Sequence, residues 1–165
     1  MSTNKFPGVS GKIPASPSPV VETCLSWLSA ITQADVDTIN SLLHEDFVCE
    51  VLPPSVGIPV RNKKEWVGFI GGGFHKFFDF RFNILQIVAG EDSVVAYATS
   101  TAKTVTGGDY SNVYAFFWDL TKDENGQFKI THVKEFMDSL YAASFFAAEN
   151  ERAEATGTEG LTRSG

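Results

Sequence analysis

The sequence has little cysteine. Its two cysteines, Cys24 and Cys49, are far apart in the chain and do not form the Cys-x-x-Cys spacing of metal or redox sites. We expect buried free thiols, as in proteins of a reducing compartment, and the sequence leaves a disulfide between the two open.

Positive charge is also scarce. The 165 residues carry a formal net charge of −7, and the longest basic run is the pair at 63–64. Because phosphate backbones and anionic lipid surfaces are bound by basic patches, the sequence predicts no nucleic-acid partner and no membrane partner. No apolar run reaches the roughly 18 residues of a membrane span, and no signal peptide precedes the domain, so we expect a cytoplasmic location.

Aromatic residues, in contrast, are abundant. They make up 13% of the chain, and 14 of them are phenylalanines. Rings in this number fill a core or line an apolar pocket. The hydrophobic share of 43% and the charged share of 20% are typical of a globular protein, and the length predicts one domain with one sizeable core.

Composition divides the chain into three parts. Four of the seven prolines fall in the first 19 residues, among serines and glycines, which predicts a flexible leader over residues 1–18. Residues 149–165 contain one large apolar residue, Leu161, and are predicted to be a disordered tail. The folded domain is therefore expected over residues 19–148.

The spacing of apolar residues predicts three helices in the first half of the domain. The first covers residues 19–31, and the second runs from a cap at Asp35 to residue 43. A short strand, FVCEVLPP, then stops at two prolines. The third helix begins at Asn62, where Glu65 completes a capping box, and is expected to end at the glycines 71–73.

Four strand patterns follow: FFDFRFNILQIVA, SVVAYATSTAKTV, YSNVYAFFWDLT and FKITHVKEF. Short turns separate them, as in an antiparallel meander. A last helix is expected over residues 139–148. Helices that segregate from a mostly antiparallel sheet predict the α+β class.

Three segments in their order resemble the NTF2-like superfamily, and in particular the SnoaL-like domains of fungal proteins. They are HEDFVCEVLPPSVGIP, GGDYSNVYAFFWDL and the closing strand GQFKITHVKEFMDS. The resemblance covers about residues 19–148. It implies a strongly curved, mostly antiparallel sheet wrapped around three N-terminal helices, with a conical pocket, a C-terminal helix and a homodimer formed through the outer face of the sheet.

Alternation along the last two strands gives the candidate catalytic residues. Tyr110, Asn112 and Tyr114 share one face, and the resemblance implies that this face lines the pocket. On the closing strand, Glu135 shares a face with residues 129, 131, 133 and 137, and the resemblance points it inward. A carboxyl among rings has a raised pKa and suits a general acid or base. Asn112 and Tyr114 would orient substrate or stabilise an oxyanion.

Further candidates for substrate contact are Tyr110, His75, Trp27, Trp66 and Tyr97. His75 follows the glycine run and is either a proton shuttle at the pocket mouth or a loop residue. The three histidines show no His-x-x-x-His spacing, so the sequence predicts no metal site. The enzyme class that the resemblance implies needs no cofactor, and none is expected.

Two simpler readings stay open for the acidic residues near the end of the closing strand. Glu135 also suits a solvated position paired with Lys129 or with a lysine across the sheet. Asp138 suits the N-cap of the last helix better than a catalytic role.

The resemblance leaves two functions. One is a cofactor-independent isomerase, cyclase or dehydratase that acts on a small apolar or aromatic, oxygenated metabolite. The alternative is a non-catalytic domain of the same fold that binds a ligand or another protein, because the fold hosts both enzymes and binders.

Overall fold

The computed structural model describes residues 5–157, apart from the side chains at 73 and 75. Its helices are α1 (Pro19–Gln33), α2 (Val36–Leu42), α3 (Lys63–Gly73) and α4 (Ser139–Thr156). Its strands are β1 (Val9–Gly11), β2 (Leu43–Leu52), β3 (Arg61–Asn62), β4 (Phe77–Ala89), β5 (Ser93–Thr104), β6 (Asp109–Lys122) and β7 (Phe128–Met137).

The strands form one curved sheet in the order β1-β4-β5-β6-β7-β2-β3. The central ladder from β4 to β7 is antiparallel, while β1 pairs with β4 and β2 with β7 in parallel. The predicted meander and the α+β class are confirmed. Register shifts in β4 and β7 insert extra residues, and such bulges bend a sheet.

The starts of three helices follow the predicted capping chemistry. The side chain of Asp35 accepts the N–H of Thr38 at 3.0 Å and begins α2. Asn62 and Glu65 form the reciprocal capping box of α3. Asp138 accepts the N–H of Tyr141 at 3.0 Å, so its role as N-cap of α4 is confirmed.

The N-terminal segment differs from the prediction of a flexible leader. β1 pairs with β4, and Phe6 and Val9 are buried in the core with 4% and 1% exposure. The carbonyl of Pro7 accepts hydrogen bonds from the hydroxyls of Ser29 and Thr32 on α1. Two apolar side chains and one short ladder therefore hold residues 6–11 against the sheet and α1 despite their proline and glycine content. Residues 1–4 lie outside the described part.

Two helix ends also differ from the prediction. The glycines 71–73 lie inside α3, which continues into a turn of 3-10 helix at Phe74–Lys76. α4 extends to Thr156 instead of ending at 148, because Glu149 and Ala153 are buried against the rest of the fold. The predicted disorder of residues 158–165 falls outside the described residues.

Cys24 and Cys49 are free thiols with 0% and 2% exposure, as predicted. Burial raises the pKa of both thiols well above its usual value, so they remain protonated. Within residues 5–157, no helix combines the length and apolarity needed to cross a bilayer.

Candidate active site

A cavity of about 770 Å³ lies between the concave face of the sheet and helices α1, α3 and α4. Most of its wall is aromatic or aliphatic, and this volume is within the usual range for small-molecule sites. Strands β4, β6 and β7 contribute inward-facing side chains, and the segment after β2 contributes Val56, Ile58 and Pro59 at the other side. The polar groups of the wall are few, and each is placed by a strand or a helix end.

Glu135 lines this cavity, as predicted. It lies on β7 between Phe116 of β6 and Val51 of β2. Its side chain keeps some accessible surface because it faces the cavity, yet it is far from bulk solvent. The described residues offer its carboxyl group no hydrogen bond and no ion pair. Burial raises its pKa to about 7, and the positive charge of Arg61 acts in the opposite direction.

The alternative pairing of Glu135 with Lys129 is wrong. The ammonium group of Lys129 donates to the carbonyl of Ser41 at 2.7 Å and lies 3.6 Å from a carboxylate oxygen of Asp123. The predicted face of β7 also needs correction, because the register shift at Thr131 breaks the alternation. Ile130 is therefore buried on the inner side, and the inward set from that point is Val133, Glu135 and Met137.

Tyr110 and Tyr114 also line the cavity, from the inner face of β6. Their hydroxyl oxygens are 2.8 Å apart, and Ser100 Oγ of β5 lies 3.1 Å from the Tyr114 hydroxyl. Burial raises the pKa of Tyr110 to about 12 and the pKa of Tyr114 well above its usual value. Both phenols therefore stay protonated at neutral pH and act as hydrogen-bond donors.

Asn112 points inward as predicted, but it is not part of the cavity wall. Its amide nitrogen donates to the Tyr110 hydroxyl at 3.0 Å. Its amide oxygen accepts the backbone N–H groups of Val113 and Asp138, at 2.7 and 3.1 Å. The predicted direct contact of Asn112 with substrate is thus not supported, since its polar atoms are already bonded within the fold.

Comparison with known proteins agrees with this architecture. A model of the SnoaL-like domain matches residues 25–133, more than half of the chain. The chain belongs to the SnoaL-like family. Monooxygenase AacuO of Aspergillus aculeatus is 28% identical over 125 residues, which are 74% of this chain and 76% of AacuO.

Solved structures of fungal proteins have the same fold as this SnoaL-like domain. BvnE pinacolase from Penicillium brevicompactum is 26% identical, with a TM-score of 0.68 over 84% of this chain and 96% of BvnE. PrhC from Penicillium brasilianum is 19% identical, with a TM-score of 0.70 over 87% of this chain and 93% of PrhC. The latter similarity concerns the fold alone.

Two predicted aromatic contacts are part of the SnoaL-like cavity. Trp27 of α1 and Trp66 of α3 both line it, with their rings stacked at 5.8 Å. Phe116 and Trp118 meet Trp27 edge-on at 6.3 and 6.1 Å. The indole N–H groups of both lining tryptophans lack a hydrogen-bond partner among the described residues, and the rings add apolar surface to the wall.

Tyr97 does not lie in the cavity, contrary to the prediction. Strand alternation turns Ala96 and Ala98 inward and leaves Tyr97 on the outer face, where it is 47% exposed. His75 lies in the 3-10 turn before β4. Its side chain falls outside the described part of the structure, as does its predicted role at the pocket mouth.

Two cationic residues of the cavity wall were missed by the sequence analysis. Arg61 lies on β3, with its guanidinium 4.5 Å from the ring centre of Phe69. Lys76 is 8% exposed and precedes β4 within a run of phenylalanines. The sequence signal that could have identified Lys76 is its place as a lysine within an otherwise aromatic run.

The described part of the chain, residues 5–157, contains no group of three histidine, cysteine or acidic side chains placed to hold a metal ion. His132 instead bonds to Glu50 at 2.6 Å across β7 and β2. The cavity wall is therefore mostly apolar. Its polar groups include the carboxyl of Glu135, whose pKa is about 7, a pair of phenol donors and two cations.

Proposed function

We propose that this SnoaL-like protein is an enzyme of the isomerase, cyclase or dehydratase type that moves a proton on an apolar, oxygenated small molecule. The observation that carries the proposal is the carboxyl of Glu135, which faces a ring-lined cavity with a pKa of about 7. A group that is half ionised near neutral pH accepts and returns protons with the least cost.

Glu135, the tyrosine pair and the tryptophan pair each have a role in this reaction. Ionised Glu135 takes a proton from an activated C–H or O–H group of the substrate and returns it at a second position. The phenol of Tyr114, hydrogen-bonded to Tyr110 at 2.8 Å, donates to the oxygen on which negative charge develops. Trp27 and Trp66 bind the apolar body of the substrate.

The names of two relatives support small-molecule chemistry at this site. BvnE is described as a pinacolase and AacuO as a monooxygenase. Both share a moderate level of identity with this chain, 26% and 28%. The placement of Glu135 beside the tyrosine pair favours proton transfer as the chemistry of this cavity.

Proton abstraction can be measured without knowing the natural substrate. The apolar ketone 2-tetralone, incubated in D₂O with the protein, reports exchange of its acidic C–H groups by mass spectrometry. We expect exchange above the buffer rate with wild type and with the exposed control Glu91→Gln, and no excess with Glu135→Gln. Tight binding of the ketone without exchange would instead favour the non-catalytic binding domain.

A further inference from the structure

Four buried polar side chains form a continuous hydrogen-bonded chain on the inner face of β5 and β6. Asn112 Nδ2 lies 3.0 Å from the Tyr110 hydroxyl, and the two phenol oxygens are 2.8 Å apart. The Tyr114 hydroxyl lies 3.1 Å from Ser100 Oγ. All four residues are at most 6% exposed. Each phenol hydroxyl in this chain donates a hydrogen bond to one neighbour and accepts one from the other. The direction of donation along the chain decides whether Tyr114 donates a hydrogen bond to a ligand or accepts one.

Asn112 fixes that direction at one end. Its Oδ1 receives two backbone N–H groups, from Val113 at 2.7 Å and from Asp138 at 3.1 Å. Only an acceptor can receive two N–H donors, so this atom is the amide oxygen and the amide NH₂ faces Tyr110. The NH₂ group also lies 3.5 Å from the carbonyl oxygen of Asp138, which agrees with this orientation.

The phenols transmit the direction. A phenol O–H lies close to the ring plane, so it donates on one side and accepts on the other. Tyr110 accepts from Asn112, and Tyr114 is the acceptor that the described residues offer to the O–H of Tyr110. With Tyr110 as donor, the O–H of Tyr114 is available for a second acceptor, and Ser100 Oγ lies within reach at 3.1 Å.

We propose that Asn112 is a positioning residue that makes Tyr114 a hydrogen-bond donor for a carbonyl oxygen of the substrate, which replaces Ser100 as the acceptor. The inference rests on the proposed function, because it assigns a substrate class, carbonyl compounds, to the same cavity. It also gives Asn112 a role that needs no contact with the substrate.

The isosteric substitution Asn112→Asp provides a reversible test of direction. An ionised carboxyl at this position has no N–H, so it accepts from Tyr110 as well as from the two backbone groups. Tyr110 then accepts from Tyr114, and Tyr114 presents a lone pair to the cavity. Protonation of the introduced carboxyl restores a donor towards Tyr110 and with it the original direction.

Other titratable groups face this chain and must be held constant. They are Glu135 on β7, Asp138 and Tyr141 at the start of α4, and Lys76 before β4. Glu135 titrates in the pH range of the test. The comparison is therefore made between Glu135→Gln and the double variant Glu135→Gln/Asn112→Asp, so that every other group is common to both.

The probes are 2-acetylnaphthalene, which carries a carbonyl, and naphthalene, which does not. At about pH 8 we expect the affinity for 2-acetylnaphthalene divided by the affinity for naphthalene to be roughly fivefold lower in the double variant than in Glu135→Gln. This factor corresponds to the loss of about one hydrogen bond. Below the pKa of the introduced carboxyl, measured in the double variant by ¹³C NMR, the ratio should recover, because the protonated carboxyl again donates towards Tyr110. The carbonyl stretching frequency of the bound ketone should shift to lower values only when the donor is present.

Matched variants distinguish a change in hydrogen-bond direction from a general effect on the structure of the cavity. Tyr114→Phe should lower the ratio at both pH values, and Tyr97→Phe on the outer face should change nothing. If the double variant fails to fold, Ser100→Ala in the Glu135→Gln background gives the second test. It removes the internal acceptor and should raise the ratio by roughly twofold to fivefold.

The outcomes distinguish the inference from the proposed function. An unchanged ratio, or an equal loss of affinity for both probes, would mean that Asn112 is only structural and would overturn the inference. Ser100→Ala without a rise in the ratio would do the same. If neither probe binds wild type, the cavity does not take apolar small molecules and the proposed function itself fails.

Discussion

Glu135 of β7 stands opposite Phe116 of β6 in the antiparallel ladder, so its carboxyl lies beside an aromatic ring. The described residues provide no ion-pair partner for it, and burial raises its pKa from 4.5 to about 7. A carboxyl in this position costs stability when it ionises.

Replacing Glu135 with Gln should therefore stabilise the protein at alkaline pH. Between pH 4.5 and about 7 the folded state holds the Glu135 proton while the unfolded state releases it, so wild-type stability falls as pH rises and is flat above that window. The shift corresponds to roughly 3 kcal/mol at most. Urea unfolding of both proteins at about pH 4 and pH 8 measures the difference.

The difference in the free energy of unfolding between Glu135→Gln and wild type should be small at about pH 4 and largest at about pH 8. Glu91→Gln, in the exposed β4–β5 turn, serves as the control and should leave stability unchanged at either pH. A variant that loses stability at alkaline pH would show that Glu135 holds the fold together through an interaction with a cation.

Asp138 has a different task from Glu135, although only three positions separate them. Its side chain accepts the N–H of Tyr141 at 3.0 Å and caps α4. Asp138→Ala should lower the free energy of unfolding by about 0.5–2 kcal/mol, with substrate chemistry largely retained. Thermal melts compared with Asp92→Ala, in an exposed turn, test this. A melt identical to wild type would refute the capping role.

For β6, alternation predicted which residues share a face, and the family resemblance predicted that this face is the inner one. Tyr110, Asn112 and Tyr114 are all buried, as the period of two requires. β7 could not be assigned fully, since its bulge at Thr131 depends on the partner strand and leaves no mark in the local pattern. The same alternation rule places Tyr97 outside, which its type alone did not indicate.

Long-range contacts account for the remaining errors. β1 is ordered by pairing Val9 with Phe82, which is more than 70 positions away in the chain. The role of Asn112 depends on the backbone N–H of Asp138, which follows 26 residues later. Local composition reports neither contact. Capping boxes were predictable because both partners lie within four residues.

Glu149 fixes the extension of α4 that the sequence analysis missed. Its buried carboxyl accepts Arg152 Nε at 2.9 Å and is also hydrogen-bonded by Thr106 of the β5–β6 turn. Glu149→Gln should cost about 1–3 kcal/mol, because it removes hydrogen bonds to a charged group. Hydrogen exchange should show faster exchange in α4 than in β6. Equal protection to wild type, or a similar effect of the exposed control Glu151→Gln, would contradict this role.

We propose that the outer face of the sheet forms a homodimer. Its exposed apolar residues lie side by side on β5, β6 and β7: Val95, Tyr97, Val113, Phe117 and Phe136. Patches of this kind on a sheet are typical of protein contacts. Light scattering should give twice the chain mass of 18.0 kDa. Phe117→Glu should produce monomers, and Leu140→Glu on α4 should not.

A wild-type mass of 18.0 kDa at micromolar concentration would exclude the dimer. Loss of the dimer in Leu140→Glu but not in Phe117→Glu would show that α4, and not the sheet, forms the dimer contact.

The most direct test of Glu135 as a general acid or base is a ¹³C NMR titration of its side-chain carboxyl. The resonance is assigned because it is missing from the spectrum of Glu135→Gln. A general acid or base in the cavity requires that this carboxyl titrate near neutral pH. We expect a midpoint at about 7. A midpoint at the ordinary value of 4.5 would show a solvated or paired carboxylate and would contradict the proposed chemistry.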